Sequence, residues 1–592
     1  MKIKIQYTFA ILLLLSGLQQ AFAQKKDENI GTEVVNVVKP YTPTISDAFK
    51  IKETPTLEDE DNTKKEPIKY TIFSFPVAST FTPSKGRAAG VDKSKAETLY
   101  RNFVTAGLGN YLNLFGELYI TQDIGDNDYA AGMVKHLSSQ GGIKGVEAED
   151  GFMNSSIDLT YGSKQKEYSW NADLGFQAQR YYWYGVSDDY RNSPGLTPDQ
   201  ISGIYDNVDQ GINYSNFYVG GKIGFNDSAF NEITLKYDRF WDKYDSSENR
   251  FIAKPSFKFD LGNTTIKTKV IVDYVGGEHA KAYSTYPLTY GFANFGLNPS
   301  FAMNRDDWSF NIGATAFYGM NTEISKNKFF IYPNVTASLK VVGDLMVFYL
   351  GAEGGLEQNS YKDFTDENPF VSPNIYVSPT DKQYDVYAGL KGKLSNYISY
   401  DVRGGVMSEK NKPLFLNNPY SSILSVFPEA QEEPYEYGNS FGVVYDDVKT
   451  VSFSGGLKFD MSKNFSAGIN GEFHKYANHF EVEAWNLPEI KLGANLDVNI
   501  TERWYAGAAV FFVGERKDQL VRTNIIPLIP VSNTVTVDSY FDANAHVGYK
   551  INERFAAFLR LNNIANQNYE KWLNYPVQSF QVMLGGNYKF DF

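Results

Sequence analysis

The sequence predicts an all-β fold, namely one large antiparallel transmembrane β-barrel of about 22 strands, within a range of about 20–24. Three observations lead to this prediction. The chain begins with an export signal and contains no later apolar segment long enough to span a membrane as a helix. Residues 99–592 alternate apolar and polar side chains with a period of two. The connections between the alternating segments are themselves short and long in turn.

Residues 1–23 form the export signal. Lys2 and Lys4 give it a basic start, residues 8–18 are mostly apolar, and a small-x-small cleavage site ends at Ala23. A retained membrane anchor is the alternative, but the apolar core is too short to span a bilayer easily. We therefore expect signal-peptide removal and export. The mature protein is then either soluble outside the cytoplasm or a closed barrel in a membrane.

The composition excludes several classes of protein. The formal net charge of −13 argues against nucleic acid as a partner. The chain has no cysteine, which excludes disulfides, thiolate metal sites, a cysteine nucleophile and a lipid anchor on cysteine. Its 42 Tyr, 43 Phe and 7 Trp are too many for a typical soluble enzyme, whereas 42% hydrophobic residues are too few for a helical membrane bundle. A large β protein fits all of these numbers.

Residues 24–98 differ in composition from the rest of the chain. Residues 53–67 (ETPTLEDEDNTKKEP) are charged, lack aromatic residues and are typical of a solvated linker. Residues 69–84 are richer in aromatic residues and lie just ahead of the first predicted strand. We expect residues 24–98 to lie in the periplasm or to thread the barrel lumen, and residues 99–592 to form the barrel.

The alternation is clearest in residues 251–261, 384–394 and 491–500. Apolar side chains occupy one face of each segment, and most of the polar and charged side chains occupy the other. A soluble β-sandwich also alternates. The barrel is favoured because the predicted strands are often 11–18 residues long and because a charged face recurs in strand after strand.

The connections support a barrel with two unlike ends. Short turns are predicted near residues 163–165, 226–231, 262–263, 305–307, 342–344, 395–397, 462–464, 501–503 and 552–553. Long loops are predicted near residues 138–150, 186–209, 363–381, 412–438, 478–488, 518–534 and 567–577. With both chain ends on one side, every short turn follows an even-numbered strand. Short periplasmic turns opposite longer outer loops are the outer-membrane pattern.

The final strand carries a predicted assembly signal. One of its faces is apolar and ends in the terminal residue of the chain, and it comprises Val582, Leu584, Tyr588, Phe590 and Phe592. An amphipathic last strand that ends in Phe is the signal recognised by outer-membrane assembly machinery. We therefore expect that machinery and outer-membrane lipid to be partners of the chain, and an ordinary edge strand is the alternative.

The last third of the chain resembles TonB-dependent receptors of the outer membrane. Phe441–Val448 (FGVVYDDV) looks like the start of a late barrel strand of that family. Leu561–Tyr569 (LNNIANQNY) resembles the ending of its penultimate strand, and Leu584–Phe590 (LGGNYKF) completes the likeness. The composition, which is rich in aromatic residues, Asn and Gly, resembles that of proteins of Bacteroidota. The resemblance implies a receptor-type barrel in the outer membrane of a Gram-negative cell, and it does not indicate a substrate.

The sequence departs from this family ahead of the barrel. The family carries a folded plug there, whereas residues 24–98 are too short and too charged for one. A short stretch near the mature N-terminus resembles the TonB-contacting box, which pairs as an added strand, and it comprises Thr32, Glu33, Val34, Val35, Asn36, Val37 and Val38. A β-prone segment that docks in or under the barrel is the favoured alternative. We expect a receptor-like barrel without a plug.

No sequence motif indicates an enzyme, a cofactor or a metal site. The chain lacks a phosphate loop and a His-Glu-x-x-His helix. His136 beside Ser138 is the nearest approach to a catalytic pair, and His474 and His479 are spaced for opposite faces of a strand. For the aromatic run at 181–184, a membrane-interface girdle is favoured over a ligand- or partner-binding loop.

The predicted function is solute passage across the outer membrane. A structural subunit of an assembly, secretion or surface-lipoprotein complex is almost as well supported, with other envelope proteins as partners. A TonB-linked import receptor with a reduced gate is the third possibility. Because a lumen of this width would leak if left open, each reading requires something that closes it.

Overall fold

A computed structural model describes residues 100–186, 209–262, 264–280, 287–419, 433–462, 464–525 and 528–592. The export signal, residues 24–98 and the box-like stretch lie outside the described residues. No helix in the described part of the chain is both long enough and apolar enough to cross a membrane. Almost all of this part is β-structure, as the alternating pattern predicts.

Twenty-two strands form one closed antiparallel sheet. They are β1 (Asn102–Gly109), β2 (Leu114–Asp123), β3 (Asp128–Ser139), β4 (Phe152–Lys164), β5 (Tyr168–Tyr182), β6 (Gly211–Phe225), β7 (Phe230–Asp242), β8 (Ser247–Leu261), β9 (Thr264–His279), β10 (Leu288–Asn304), β11 (Trp308–Asn321), β12 (Lys326–Val342), β13 (Met346–Glu357), β14 (Thr380–Ser395), β15 (Ile398–Asn417), β16 (Phe441–Ser462), β17 (Phe465–Ala477), β18 (Ile490–Asn499), β19 (Trp504–Val513), β22 (Tyr540–Lys550), β23 (Phe555–Asn562) and β26 (Gln581–Phe590).

Four further strands and one helix lie in the long loops. They are β20 (Arg516–Ile525) with β21 (Leu528–Val537), β24 (Glu570–Trp572) with β25 (Tyr575–Pro576), and α1 (Tyr361–Glu367). The predictions of long loops at 363–381, 518–534 and 567–577 therefore need correction, because each contains regular structure. These elements are missed by a search for period-two wall strands, since none of them crosses the wall.

The first and last strands close the barrel. β1 pairs antiparallel with β26 from Asn102↔Phe590 to Gly109↔Met583, and with β2 on its other side. Every other wall strand pairs with the neighbouring wall strands in the chain, because β19 reaches past β20 and β21 to pair with β22, and β23 reaches past β24 and β25 to pair with β26. The predicted all-β antiparallel barrel and its count of 22 strands are confirmed.

The two faces of the wall differ as predicted. On β11, Ile312 faces outward with 53% of its surface exposed, whereas Phe317 faces inward and is buried. The outward faces of β10–β12 carry one aromatic row at each end, Phe301 with Phe310 and Trp308 at one and Phe295 with Tyr318 and Phe329 at the other. On β11, Phe310 and Trp308 are eight and ten residues from Tyr318. For a tilted strand this corresponds to about 20–25 Å, close to the height of an apolar barrel band.

The wall is much taller on one side. β15 and β16 have 20 and 22 residues, whereas β1 and β23 have eight each. The additional residues of the tall strands lie at the end that carries the long loops. The functional architecture of the molecule is therefore concentrated at this long-loop end.

Candidate functional site

A folded cap lies over the long-loop end, and we define it as residues 183–186, 358–379, 433–440 and 569–578. Its largest part is the inner loop, residues 358–379, which joins β13 to β14 and contains α1. Buried side chains of the cap form a single apolar cluster with side chains of the wall. This cluster joins β6, β7, β9 and β10 on one side of the lumen to β15 and β16 on the other.

Two buried carboxylates of the wall hold α1 in place. Glu248 accepts hydrogen bonds from the backbone N–H groups of Tyr361 and Lys362, at 2.6 and 3.2 Å. It also accepts one from the Tyr290 hydroxyl at 2.7 Å. Asp242 accepts the Tyr361 hydroxyl at 2.9 Å. The first N–H groups of a helix have no partner within the helix, and here the wall supplies the acceptor.

The start of α1 is also fixed from within the inner loop. The Ser360 hydroxyl accepts the backbone N–H of Asp363 at 3.0 Å, which is an N-cap. Arg250 donates two hydrogen bonds to Asp273 on the neighbouring strand, at 3.0 and 2.9 Å. Its remaining terminal nitrogen donates to Asp363 at 2.9 Å. A single guanidinium therefore ties α1 to two wall strands.

An aromatic core occupies the centre of the cap. The ring of Phe370 stacks on that of Tyr575 with 3.7 Å between centroids. The Trp183 indole N–H donates to the Phe370 carbonyl at 3.1 Å, and the Tyr214 hydroxyl donates to the Pro369 carbonyl at 2.9 Å. The buried members of the core are Trp183, Ile212, Tyr214, Phe240, Tyr244, Val275, Tyr290, Phe292, Tyr361, Phe364, Phe370, Val371, Ile375, Val377, Phe415, Tyr435, Phe441, Trp572 and Tyr575. The Tyr575 hydroxyl donates to the Asn439 carbonyl, so three polar groups of this centre have specific acceptors, which favours one packed arrangement.

The girdle prediction for residues 181–184 is wrong for three of the four residues. Tyr181 packs against the cap core, and its ring contacts that of Phe370 edge-on with 6.3 Å between centroids. Trp183 is fully buried in the cap core. The Tyr184 hydroxyl donates to the Pro576 carbonyl at 3.0 Å, and burial, with the nearby charge of Asp150, raises the pKa of Tyr184. The reason is that β5 ends at Tyr182, so the next residues leave the wall and turn over the lumen.

Further buried carboxylates pin the neighbouring loops. Asp446 accepts the backbone N–H groups of His479, Phe480 and Glu481, at 3.2, 2.9 and 2.9 Å. Three successive N–H groups on one carboxylate fix the first turn of the loop between β17 and β18. The aspartate thus serves as a structural anchor.

Asp518 anchors the base of the β20–β21 hairpin. Its carboxylate accepts the Asn417 backbone N–H at 3.0 Å and the Asn486 amide at 2.8 Å. Burial raises the pKa of Asp518 to about 6, although these hydrogen bonds act in the opposite direction. The hairpin is therefore docked onto β15 and the β17–β18 loop through a group that titrates in the mildly acidic range.

Below the cap, the inner wall carries a polar row on β18, β19, β22 and β23. Asp497, Gly507, His546 and Arg560 lie in register across these strands. A side chain at Gly507 would overlap the His546 ring and lie 2.6 Å from Asp497 Oδ1, so the glycine allows both side chains to lie across β19. The amides of Asn495, Asn544 and Asn562 adjoin this row and line a small depression of the wall. Such a surface offers hydrogen bonds to a polar solute.

The structure places the predicted assembly strand at the closing seam of the barrel. Leu584 and Tyr588 face outward, with 66% of Leu584 exposed, whereas Met583 and Asn587 are buried on the lumen side. The apolar face of the final strand is thus outward, as the alternation predicts. Its recognition by assembly machinery stays a prediction, as does the TonB-box-like or docking strand Thr32–Val38.

Chemistry-bearing residues are scattered in the described part of the chain. His136 contacts Ser155 at 2.8 Å and Ser138 at 3.0 Å, and all three lie on the outward face, away from the lumen. His474 contacts Glu472, while His479 is held through its backbone. No group of three or more potential metal ligands occurs among the described residues.

Sequence reasoning did not identify the cap, although one local signal was present. Ser360 followed by Asp363 and an apolar residue is a helix-start pattern, and it spans the start of the loop predicted at 363–381, with Ser360 ahead of that loop. No local signal links Tyr361 to Glu248 or Trp183 to Phe370, because the partners are far apart in the chain. The cap is a product of tertiary packing.

Comparison with known proteins bears on the fold. The chain matches no protein-family model, and no curated protein matches it at a significant level. Among solved structures, it resembles the FrpB iron transporter from Neisseria meningitidis with a TM-score of 0.61 and 12% identity, over 85% of this chain and 82% of that one. It resembles the ferric-catecholate import receptor Fiu from E. coli with a TM-score of 0.58 and 10% identity, over 84% and 83%.

A third similar structure is the pyoverdine outer-membrane receptor FpvA from Pseudomonas aeruginosa, bound to pyoverdine. The TM-score is 0.58 at 10% identity, over 84% of this chain and 80% of that one. All three proteins are receptors or transporters, and none is an enzyme. At this level of identity the likeness concerns the fold. The chain therefore has the 22-stranded barrel fold of bacterial outer-membrane receptors, as its resemblance to them implies.

Proposed function

We propose that this chain is a receptor-type barrel of the outer membrane that acts in solute passage. The observation that carries the proposal is the combination of a closed 22-stranded wall, an apolar outward band and a polar inner wall. A barrel of this size needs an occupant or a cover to remain tight. The cap supplies a cover at the long-loop end.

The proposed location follows from the same features. The apolar band fits the hydrocarbon layer of an outer membrane, and the long-loop end then faces the exterior. Residues 1–23 would direct export and be removed, and the face from Val582 to Phe592 would engage the assembly machinery. Exchanging Phe592 for Ser should lower the amount of barrel in outer-membrane fractions, whereas Asp591→Ser on the opposite face should not. Equal amounts for both variants would contradict the assembly signal.

In this proposal the cap is the gate for solutes. Planar-bilayer recordings test it directly, using the wild-type chain and the variant Glu248→Ala, which removes the acceptor of two α1 N–H groups. We expect little conductance for the wild type and larger, more frequent openings for the variant. Asp381→Ala, on the wall outside the cap core, serves as a control. Indistinguishable traces for wild type and Glu248→Ala would contradict a gating cap.

The second candidate function is a structural subunit of an envelope complex. The hydrogen-bonded cap favours this structural function, because an aromatic core held by Glu248, Asp242 and Arg250 resists opening. This alternative predicts no conductance for any cap variant and stable co-purification with other outer-membrane or surface lipoproteins in mild detergent. Conductance through a loosened cap without any co-purifying partner would favour passage instead.

The third candidate is TonB-linked import with a reduced gate, in which Thr32–Val38 pairs with TonB. Deleting these seven residues would then abolish energy-dependent uptake while leaving the barrel intact. The proposed absence of a folded plug in residues 24–98 argues against this mechanism. Unchanged uptake after the deletion would exclude it.

A further inference from the structure

The wall loses its continuity between β12 and β13 at the long-loop end. Pairing between these strands stops at Asn334↔Glu353, and β12 continues for eight more residues, Lys326–Pro333. Those residues pair with β11 on one side. Among the described strands, none pairs with them on the β13 side. The cause is that β13 bends inward at a bulge near Gly355 and leads into the inner loop.

Other tall strands also outgrow a neighbour, but their free edges are covered. Residues 411–417 of β15 extend beyond β14, and the Asn411 amide there bonds Ser378 and the Pro379 carbonyl of the inner loop. The start of β16 forms a bridge with Val371, and Phe441 is fully buried. In contrast, no strand pairing or isolated bridge among the described residues occupies the β13 side of Lys326–Pro333. The outward side chains Phe329 and Ile331 of this edge are 61% and 69% exposed.

The open edge has two chemically different sides. Phe329 belongs to the outward aromatic row at the long-loop end, and Ile331 faces outward two residues closer to the middle of the wall. This places the edge at the border of the hydrocarbon layer in the proposed orientation. Lys326 and Lys328 face the lumen side, and Lys328 lies 3.9 Å from Asp381. Unpaired backbone groups in or beside hydrocarbon are strongly unfavourable, so such an edge calls for a partner that hydrogen-bonds along it.

We propose that residues Lys326–Pro333 of β12 are a docking edge for an extended strand of a partner protein, which completes the wall by β-augmentation. The partner strand would carry apolar side chains at alternate positions toward the lipid. Acidic or polar side chains between them would face Lys326 and Lys328. Main-chain hydrogen bonds would supply affinity, and the two faces would supply specificity. The inference rests on the proposed membrane orientation and is independent of whether solutes pass.

A second copy of the chain fits this edge poorly. Two barrels inserted in the same membrane orientation present β12 edges that run in the same direction, with tilts of opposite sense where the walls meet. Such edges cross instead of forming a ladder of eight residues. A free strand from another protein has no such restriction.

The test uses the full chain in lipid nanodiscs and two synthetic peptides, one alternating Val and Glu and the other alternating Val and Lys. Backbone amide exchange is followed in residues 326–333, with β7 as an internal control paired on both sides. We expect the Val/Glu peptide to slow exchange at the open edge by about tenfold or more, and the Val/Lys peptide to leave it unchanged. β7 should not respond to either peptide.

A variant keeps the test specific. The double substitution Phe329→Lys and Ile331→Lys changes two exposed side chains, and its retained fold is checked by the exchange of β7. It should abolish the protection by the Val/Glu peptide. No slowing with saturating peptide, or equal slowing by both peptides, would overturn the docking edge. Protection that rises with protein concentration in the absence of peptide would assign the edge to a second copy and overturn the partner.

Discussion

The barrel wall and the cap are built on different physical principles. Each wall strand shows an alternation in its own sequence, with apolar side chains facing outward and polar side chains facing inward. The cap has no such period, and its core draws Trp183, Phe370 and Tyr575 from three loops that are far apart in the chain. The wall is specified by local alternation, whereas the cap is specified by long-range hydrogen bonds and aromatic contacts. Substitutions in the two regions should therefore have separable effects.

The largest expected effect is in the cap core. Trp183→Ala removes a fully buried indole and its hydrogen bond to Phe370. We expect a loss of about 3–5 kcal/mol in cap stability, because large-to-small changes of aromatic core residues cost that much. Limited proteolysis within residues 358–379 should become rapid while the barrel keeps its heat-resistant mobility on a gel. Loss of the barrel itself would show that cap and wall are one cooperative unit.

The next effect tests the wall. Ala314→Arg places a charge on the outward face of β11, four residues from Phe310 and four from Tyr318, and therefore midway between the two aromatic rows. In a bilayer this should cost about 2–4 kcal/mol in unfolding free energy. Asn311→Arg, on the lumen side of the same strand, is the matched control and should be tolerated. An unfolding free energy lowered by less than about 0.5 kcal/mol in Ala314→Arg is the result expected for a water-exposed surface, and it would contradict a lipid-facing wall.

A smaller effect depends on pH. Burial raises the pKa of Asp518 from 3.8 to about 6, so folding favours its protonated form. The docking of the β20–β21 hairpin is then strongest below the ordinary pKa and weakens as the pH rises through about 6, by at most about 3 kcal/mol. Amide exchange at Asn417 and Gln519, corrected for intrinsic rates, measures this. Asp518→Asn should remove the pH dependence, and its persistence in that variant would point to another group.

The smallest effect is expected on the exposed loop between β17 and β18. Phe480 and Val482 are largely exposed there, and the loop is held by Asp446 through its backbone. Phe480→Ser should change the unfolding free energy by less than about 0.5 kcal/mol. A larger loss, measured in the same unfolding assay, would mean that this loop packs as part of the cap.

The contrast also explains what the sequence could predict. The count of 22 wall strands was predictable, and the short turns predicted at 262–263 and 305–307 coincide with the connections from β8 to β9 and from β10 to β11. Strand alternation depends only on which face of the strand contacts water, so it can be detected in a single sequence. The cap was missed because Glu248 and Asp242 look like ordinary inward residues until α1 is placed against them. The one local signal for the cap, Ser360 with Asp363, indicates that a helix begins there, but it does not indicate where in the fold that helix lies.

The inner loop also accounts for the open β12 edge. β13 leaves β12 in order to carry residues 358–379 over the lumen, so the same bend creates the cap and leaves the β13 side of Lys326–Pro333 without a paired strand among the described residues. The bend that brings the inner loop over the lumen therefore also leaves β12 without its β13 neighbour at the long-loop end. Whatever binds the edge would stabilise the bend and, through it, the cap.

The central claim is that the cap, and not the wall, closes the long-loop end. The chain has no cysteine, so a single introduced cysteine is the only thiol of the protein that a maleimide can label. Lys254→Cys lies on the lumen side of β8 below the cap, and Val482→Cys lies on an outer loop with 80% of the native side chain exposed. A polymer-linked maleimide added to intact cells should label the cysteine at position 482 quickly and the cysteine at position 254 slowly. Adding the Trp183→Ala substitution should make the labelling of position 254 fast. Equally fast labelling of both positions in the wild-type background would contradict the account.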